Sequence, residues 1–262
     1  MKRAARLLNT ASAILTSGVA ADSTAEHYRA GFHNPVMFAA PVVSSIAFTT
    51  AVAGAADPAR RPMVGRLVFT ASMLTGLVGL AFHLINVSRR PGGWNSSSVF
   101  YGAPMAAPLG VTMAGALGLA ASRVAASSDG IDGRTLGSLA AIGLIGTSVE
   151  AAVLHFRGAF HNPFMYAPVM LPPVAAAALA AASLGRGRRA RRAARTLLGM
   201  TSVLGVAGTA FHAWGIHRRM GGWRNWSQNL LAGPPLPAPP AFTGLAFAGL
   251  AALDLLHSGR RS

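Results

Sequence analysis

Apolar residues in this chain come in long blocks of about 20, and no other feature restricts the fold as much. A helix rising 1.5 Å per residue needs about 20 such residues to cross the roughly 30 Å of bilayer hydrocarbon. Eight blocks can be read. The first four are Leu7 to Ala21, Val36 to Ala56, Val64 to Val87 and Ala103 to Val124. The second four are Leu136 to Phe156, Phe164 to Leu184, Leu197 to Ile216 and Leu236 to Leu256. The sequence therefore predicts an all-α integral membrane protein with eight transmembrane helices in a lipid bilayer. Only 11% of the residues are charged and 52% are hydrophobic. Soluble domains carry about 25% charged residues, so this chain has too few to cover a soluble surface.

The formal charge of +16 invites a nucleic-acid reading, which the placement of the charges rejects. Lys2 is the only lysine, and the arginines gather in short connections between apolar blocks. One set comprises Arg3, Arg6, Arg60, Arg61, Arg66, the run from Arg186 to Arg195, Arg260 and Arg261. With eight spans all of these fall on one side. The positive-inside rule then predicts cytoplasmic termini, in a bacterial inner membrane. The other side holds Arg89, Arg90, Arg218, Arg219 and Arg224, which need a reason of their own. The segment from Lys2 to Asp22 has the look of a signal peptide, but its match in the second half is internal and cannot be one.

That match belongs to a long internal repeat. The segment His27-Tyr28-Arg29-Ala30-Gly31-Phe32-His33-Asn34-Pro35-Val36-Met37 returns 128 residues later as His155-Phe156-Arg157-Gly158-Ala159-Phe160-His161-Asn162-Pro163-Phe164-Met165. Arg6, Leu8, Gly18 and Asp22 pair with Arg134, Leu136, Gly146 and Glu150 at the same offset. Further on, Gly76, Gly79, Phe82, His83, Arg89, Arg90 and Trp94 match Gly205, Gly208, Phe211, His212, Arg218, Arg219 and Trp223. Gly102, Pro104 and Pro108 match Gly233, Pro235 and Pro239. The expected organisation is two four-helix units, residues 1–128 and 129–262. An even number of spans per unit gives both the same orientation, related by a pseudo-twofold axis along the membrane normal.

The chain has no cysteine. Iron–sulfur clusters, thiolate zinc sites and covalent haem attachment are therefore excluded, and histidine is the main soft ligand. Asn34 and Asn162 suit helix N-caps and Pro35 and Pro163 suit a first turn, which starts the second span of each unit. That leaves His33 and His161 unexplained just outside the cap. His27 and His155 sit at the outer end of each first span. Asp22 and Glu150 precede them by five residues, about 140° around the helix, so acid and His do not share a face. Glu150 lies in an apolar segment, where an ionisable group calls for a partner or a role.

The third span is the most informative. Gly76, Gly79 and His83 recur as Gly205, Gly208 and His212 on about one helical face. Small residues beside a buried imidazole leave room for a flat macrocycle, and haem fits that description. Close helix packing through glycine is the competing account. Arg89 and Arg218, just beyond that span, suit haem propionates or lipid phosphates. Gly102 to Pro108 and Gly233 to Pro240 should enter the fourth span irregularly. His217 and His257 have no counterpart and read as interfacial. No hydrolase triad, Walker loop or dinucleotide fingerprint is present.

Four functional classes follow. The leading expectation is a b-type cytochrome-like subunit that binds haem b and passes electrons between a quinone and a partner dehydrogenase or reductase. Its axial ligands would be His83 and His212, partnered by His27 and His155, with His33 and His161 as alternates or with His83 and His212 sharing one site. The second is a non-haem Fe, Mn, Zn or Cu ion held by Asp22, His27, His33 and His83, and again by Glu150, His155, His161 and His212. The third is a transporter, weakened by inner halves that read as Ala, Leu, Gly and Val. The fourth is an anchor without cofactor. Catalysis outside the membrane would need another subunit.

Overall fold

A computed structural model describes residues 1–58, 62–102, 105–126 and 132–258. Arg60, Arg61, Ala103, Pro104, Arg260, Arg261 and the unit boundary at 128 lie outside that range. The described residues form helices and turns with no strand. In order the helices are α1 (Lys2–Arg29), α2 (Ala39–Ala56), α3 (Pro62–Ser88), α4 (Ser96–Tyr101), α5 (Pro108–Ala126), α6 (Gly133–Arg157), α7 (Ala167–Ser183), α8 (Gly187–His217), α9 (Trp226–Ala232) and α10 (Pro240–Ser258).

Seven helices among the described residues are long and apolar enough to cross a bilayer. They are α3, α5, α6, α8, α10, and α2 and α7 with their lead-in turns. The eighth expected span, α1, does not meet that criterion. Its composition gives the reason: Asn9, Ser12 and Thr16 sit among its alanines and leucines. All three are buried, because α1 occupies the middle of the bundle against α2, α5 and α10. Their polar groups are satisfied there. Asn9 donates to Ala5 O at 3.1 Å, Ser12 to Ala114 O on α5 at 2.9 Å and Thr16 to Ser12 O at 2.7 Å. A buried helix can be polar where a lipid-facing one cannot.

The rest of the packing places small residues inside and large ones outside. The main core combines Leu8, Leu117, Leu136, Leu179, Leu198 and Leu245 with many alanines, and it runs continuously through helices of both halves. Large apolar side chains such as Leu67 (71% exposed), Ile142 (68%) and Val203 (66%) point outward. A soluble protein rarely shows so much apolar surface, whereas hydrocarbon solvates it at no cost. Glycine lets α3 and α5 touch closely: a Cβ on Gly115 would lie 2.6 Å from Phe69 O, and one on Gly118 would strike the Phe69 ring.

At the end of the bundle that holds the N-terminus, Asp254 of α10 pairs with Arg195 of α8 at 2.9 Å and with Arg3 of α1 at 3.3 Å. One carboxylate thus ties three helices drawn from both halves. Asp254→Asn should lower the melting temperature in detergent modestly. The loss should shrink as salt is raised, since Arg3 and Arg195 are largely exposed and their attraction is screened. A loss that does not respond to salt would show that the ion pairs are not its source.

Candidate functional site

Seven of the eight histidines, all but His257, gather at the opposite end of the bundle, which we call the histidine face. The loop after α1 and the loop after α6 adopt the same conformation there. Gly31 and Phe32 take φ of 72° and 44°, and Ala159 and Phe160 take 55° and 45°. Asn34 then accepts from Val36 N, and Asn162 from Phe164 N, each at 3.0 Å. The expected caps are formed, and each opens a short 3-10 turn, Pro35–Phe38 or Pro163–Tyr166, that runs into α2 or α7. Phe32 stacks on Phe38 at 4.2 Å and Phe160 on Tyr166 at 4.5 Å, which holds the left-handed residues in place. Asn162→Ala should cost about 1 kcal/mol, the usual value of such a cap. Thermal melting checks this, and an unchanged midpoint would count against it.

These loops fix the first pair of histidines. His27 Nδ1 lies 2.5 Å from Met37 O, and His155 Nδ1 lies 2.8 Å from Met165 O. His212 on α8 does the same with Pro235 O at 2.7 Å. A carbonyl oxygen can only accept, so each Nδ1 carries the proton. In the neutral ring the lone pair is then on Nε2. His83 holds the matching place on α3 and is half-buried. His155 comes within electrostatic range of His212.

His33 and His161 stand apart from that group. Both are exposed, and each bonds a carbonyl of its own loop, Ala30 O at 3.0 Å and Gly158 O at 2.9 Å. Asp22 and Glu150 come within electrostatic range of each other. Among the described residues no three His, Asp or Glu side chains converge as an ion-binding set. The four-residue metal sets expected from the sequence are not assembled here. The physical reason is that His33 and His161 are spent on locking their loops, and each acid faces away from the His five residues later on its own helix.

The glycines are placed differently from expectation as well. Gly79 faces Pro108 and Gly208 faces Pro239, with Cβ-to-Cβ approaches of 3.2 and 2.8 Å if an alanine were built. Gly76 meets Pro108 O and Thr112, and Gly205 meets Pro239 O and Thr243. Helices α5 and α10 fill the space a macrocycle was expected to occupy, so these four residues serve close packing. Arg89 and Arg218 end α3 and α8 at the exposed histidine face.

Sequence reasoning missed three features. The eight apolar blocks leave out the stretches beyond Trp94 and Trp223, where α4 and α9 are short helices, the first capped by Asn95 accepting from Ser98 N at 2.7 Å. Sequence reasoning missed Asn229, buried in α9, which donates to Met220 O and Gly222 O at 3.2 and 2.8 Å. It also read the inner halves as uniformly apolar. A cavity of about 300 Å³ lies toward the N-terminal end of α1, lined partly by Asn9, Thr50 and Ser122. The matching residues in the second half are Gly137, Ala178 and Leu253, a contrast that was visible in the sequence.

No family model matches the chain, and no curated protein or solved structure matches it.

Proposed function

We propose that the protein is a b-type cytochrome-like electron-transfer subunit of a membrane oxidoreductase, carrying its cofactor at the histidine face. The observation that carries this reading is the Nδ1–H to carbonyl bond made by His27, His155 and His212. Such a bond fixes a metal-ligating imidazole in one tautomer, orients it and raises the basicity of Nε2. His155 with His212, and His27 with His83, supply the two imidazole donors per half that bis-histidine ligation requires. Arg89 and Arg218 supply cations for propionates. The glycines of α3 and α8 play no part. A bound haem would supply one-electron transfer at its iron. The protein's own residues hold the ring nitrogens, exclude water and place charge beside the site.

In this reading α1 is the eighth span, shielded from lipid by its neighbours. The two halves then form tandem four-helix repeats about a parallel pseudo-twofold axis, with both termini cytoplasmic. Support comes from a reciprocal crossing of the short helices. Tyr101, at the end of α4, lies under Arg157 of α6, 5.9 Å from ring centroid to guanidinium carbon, while α9 of the second half lines a groove together with α1 and α2 of the first.

The test is optical. Protein purified in mild detergent after haem-replete expression should show a Soret band and sharp reduced α bands. No Soret absorbance would falsify the proposal. The polar cavity at Asn9 favours a second reading, a transport route. It predicts solute flux in proteoliposomes that disappears on Glu150→Gln.

A further inference from the structure

The fold builds one groove that neither half contains alone. It measures about 790 Å³ and lies toward the histidine face. Its floor is α1 from Ser17 to Tyr28, one wall is α2 near Phe48, and the other wall is Trp226 and Leu230 of α9. The eleven steps from Ser17 to Tyr28 make the floor about 16 Å long at 1.5 Å per residue. The volume falls within the roughly 300–1,000 Å³ of ordinary ligand pockets.

The lining is mainly apolar. Four of its hydroxyls are engaged with their own helices: Ser17 donates to Ile14 O at 2.9 Å, Thr24 to Ala20 O at 2.6 Å, Ser45 to Pro41 O at 2.8 Å and Thr49 to Ile46 O at 2.9 Å. Only the outer rim is amphipathic. Tyr28 and Trp226 sit there, 61% and 60% exposed, as aromatic residues do at a membrane interface. Tyr28 follows His27 directly in the chain.

The small residues of the floor are found in the first half only. At the offset of 128 residues, Ser17, Ala21 and Ala25 become Ile145, Val149 and Val153, so the matching stretch of α6 carries larger, branched side chains. General lipid solvation would not require small residues on one helix and branched ones at the matching positions of the other.

We infer that this groove holds the isoprenoid tail of one quinone, with the head at the outer rim beside Tyr28 and next to His27. The choice of a quinone over another long-chain amphiphile rests on the electron-transfer reading above. The occupant enters laterally from the bilayer and needs no opening of the bundle. This groove takes one quinone.

Trp226 makes the proposal measurable without reference to haem. In a Trp94→Phe, Trp214→Phe, Trp223→Phe background its fluorescence reports the groove alone. Decylubiquinone added to that protein in detergent should quench it saturably, approaching one equivalent. The triple variant Ser17→Ile, Ala21→Val, Ala25→Val carries the side chains the second half already tolerates, and should bind roughly tenfold or more weakly. Ala21→Leu alone is the reserve variant should the triple one misfold. A protein retaining only Trp94 should show quenching that rises linearly with quinone in the micelle.

Quenching of Trp226 that stays linear, or that the filling variants leave unchanged, overturns the groove as a site. Brominated phosphatidylglycerol that quenches Trp226 and resists displacement by decylubiquinone overturns the quinone in favour of a structural lipid. The absorption spectrum is read on the same sample. Saturable quinone binding without a Soret band would leave the groove standing and remove the haem, whereas a Soret band without saturable quenching would do the reverse.

Discussion

Gly205→Ala, and separately Gly76→Ala, should destabilise the protein by about 1–3 kcal/mol, the range for overpacking a filled interior. A Cβ on Gly205 would strike the Thr243 hydroxyl and stand 2.8 Å from Pro239 O and 2.9 Å from Thr243 N. A Cβ on Gly76 would strike the Thr112 hydroxyl and stand 2.7 Å from Pro108 O and 2.6 Å from Thr112 N. The hydroxyl can turn away, but the backbone atoms belong to the first turns of α5 and α10 and can move only if those helices move. Gly146→Ala is the control, since nothing lies within 4 Å of a Cβ there. It should be neutral or gain about 0.5–1 kcal/mol from the lost chain entropy of glycine. Melting temperatures in one detergent decide the matter. If Gly205→Ala melts with the parent protein, the contact with α10 is looser than described. If it melts normally but loses a Soret band, the glycine lies against a cofactor after all.

The second large effect concerns the imidazoles. His212→Ala should abolish about half of the reduced α-band absorbance, His83→Ala the other half, and the double variant all of it, because an axial ligand is not replaced by a methyl group. His155→Ala and His27→Ala should each remove the band of their own half, and they also free the carbonyls of Met165 and Met37. Their melting must therefore be recorded alongside the spectrum. His33→Ala and His161→Ala should leave the spectrum intact, since those rings are bonded to their own exposed loops. Spectra lost in the loop variants but retained in His212→Ala would move the ligands to the loops and end the assignment made here.

Much of the histidine face was legible in the sequence because it is built from local rules. Asn34-Pro35 and Asn162-Pro163 specify a cap and a first turn within four residues, and the structure forms both. The positions of His27, His83, His155 and His212 at one end followed from the lengths of the apolar blocks alone. Their bonding did not follow. Met37 O is 10 residues from His27, and Pro235 O is 23 residues from His212. Neither is marked by any side-chain pattern, because a backbone acceptor exists at every residue.

The sequence by itself determined that the chain is helical and suited to a bilayer, since block length and scarcity of charge set both. It also determined that the segments around His27 and His155 share a local structure, because the Phe-His-Asn-Pro cap repeats there after a turn of small residues, Ala30-Gly31 in one and Gly158-Ala159 in the other. Only the tertiary structure decided which helix sits inside. Helix α1 is polar for a span, yet its Asn9, Ser12 and Thr16 are hydrogen-bonded and buried among neighbours from both halves. Tertiary packing likewise decided that Gly76 and Gly205 face α5 and α10 rather than open space, and that α9 crosses to wall a groove on the other half. A glycine specifies only that something may come close. What comes close depends on how helices distant in sequence pack, and periodicity along one helix carries no record of that.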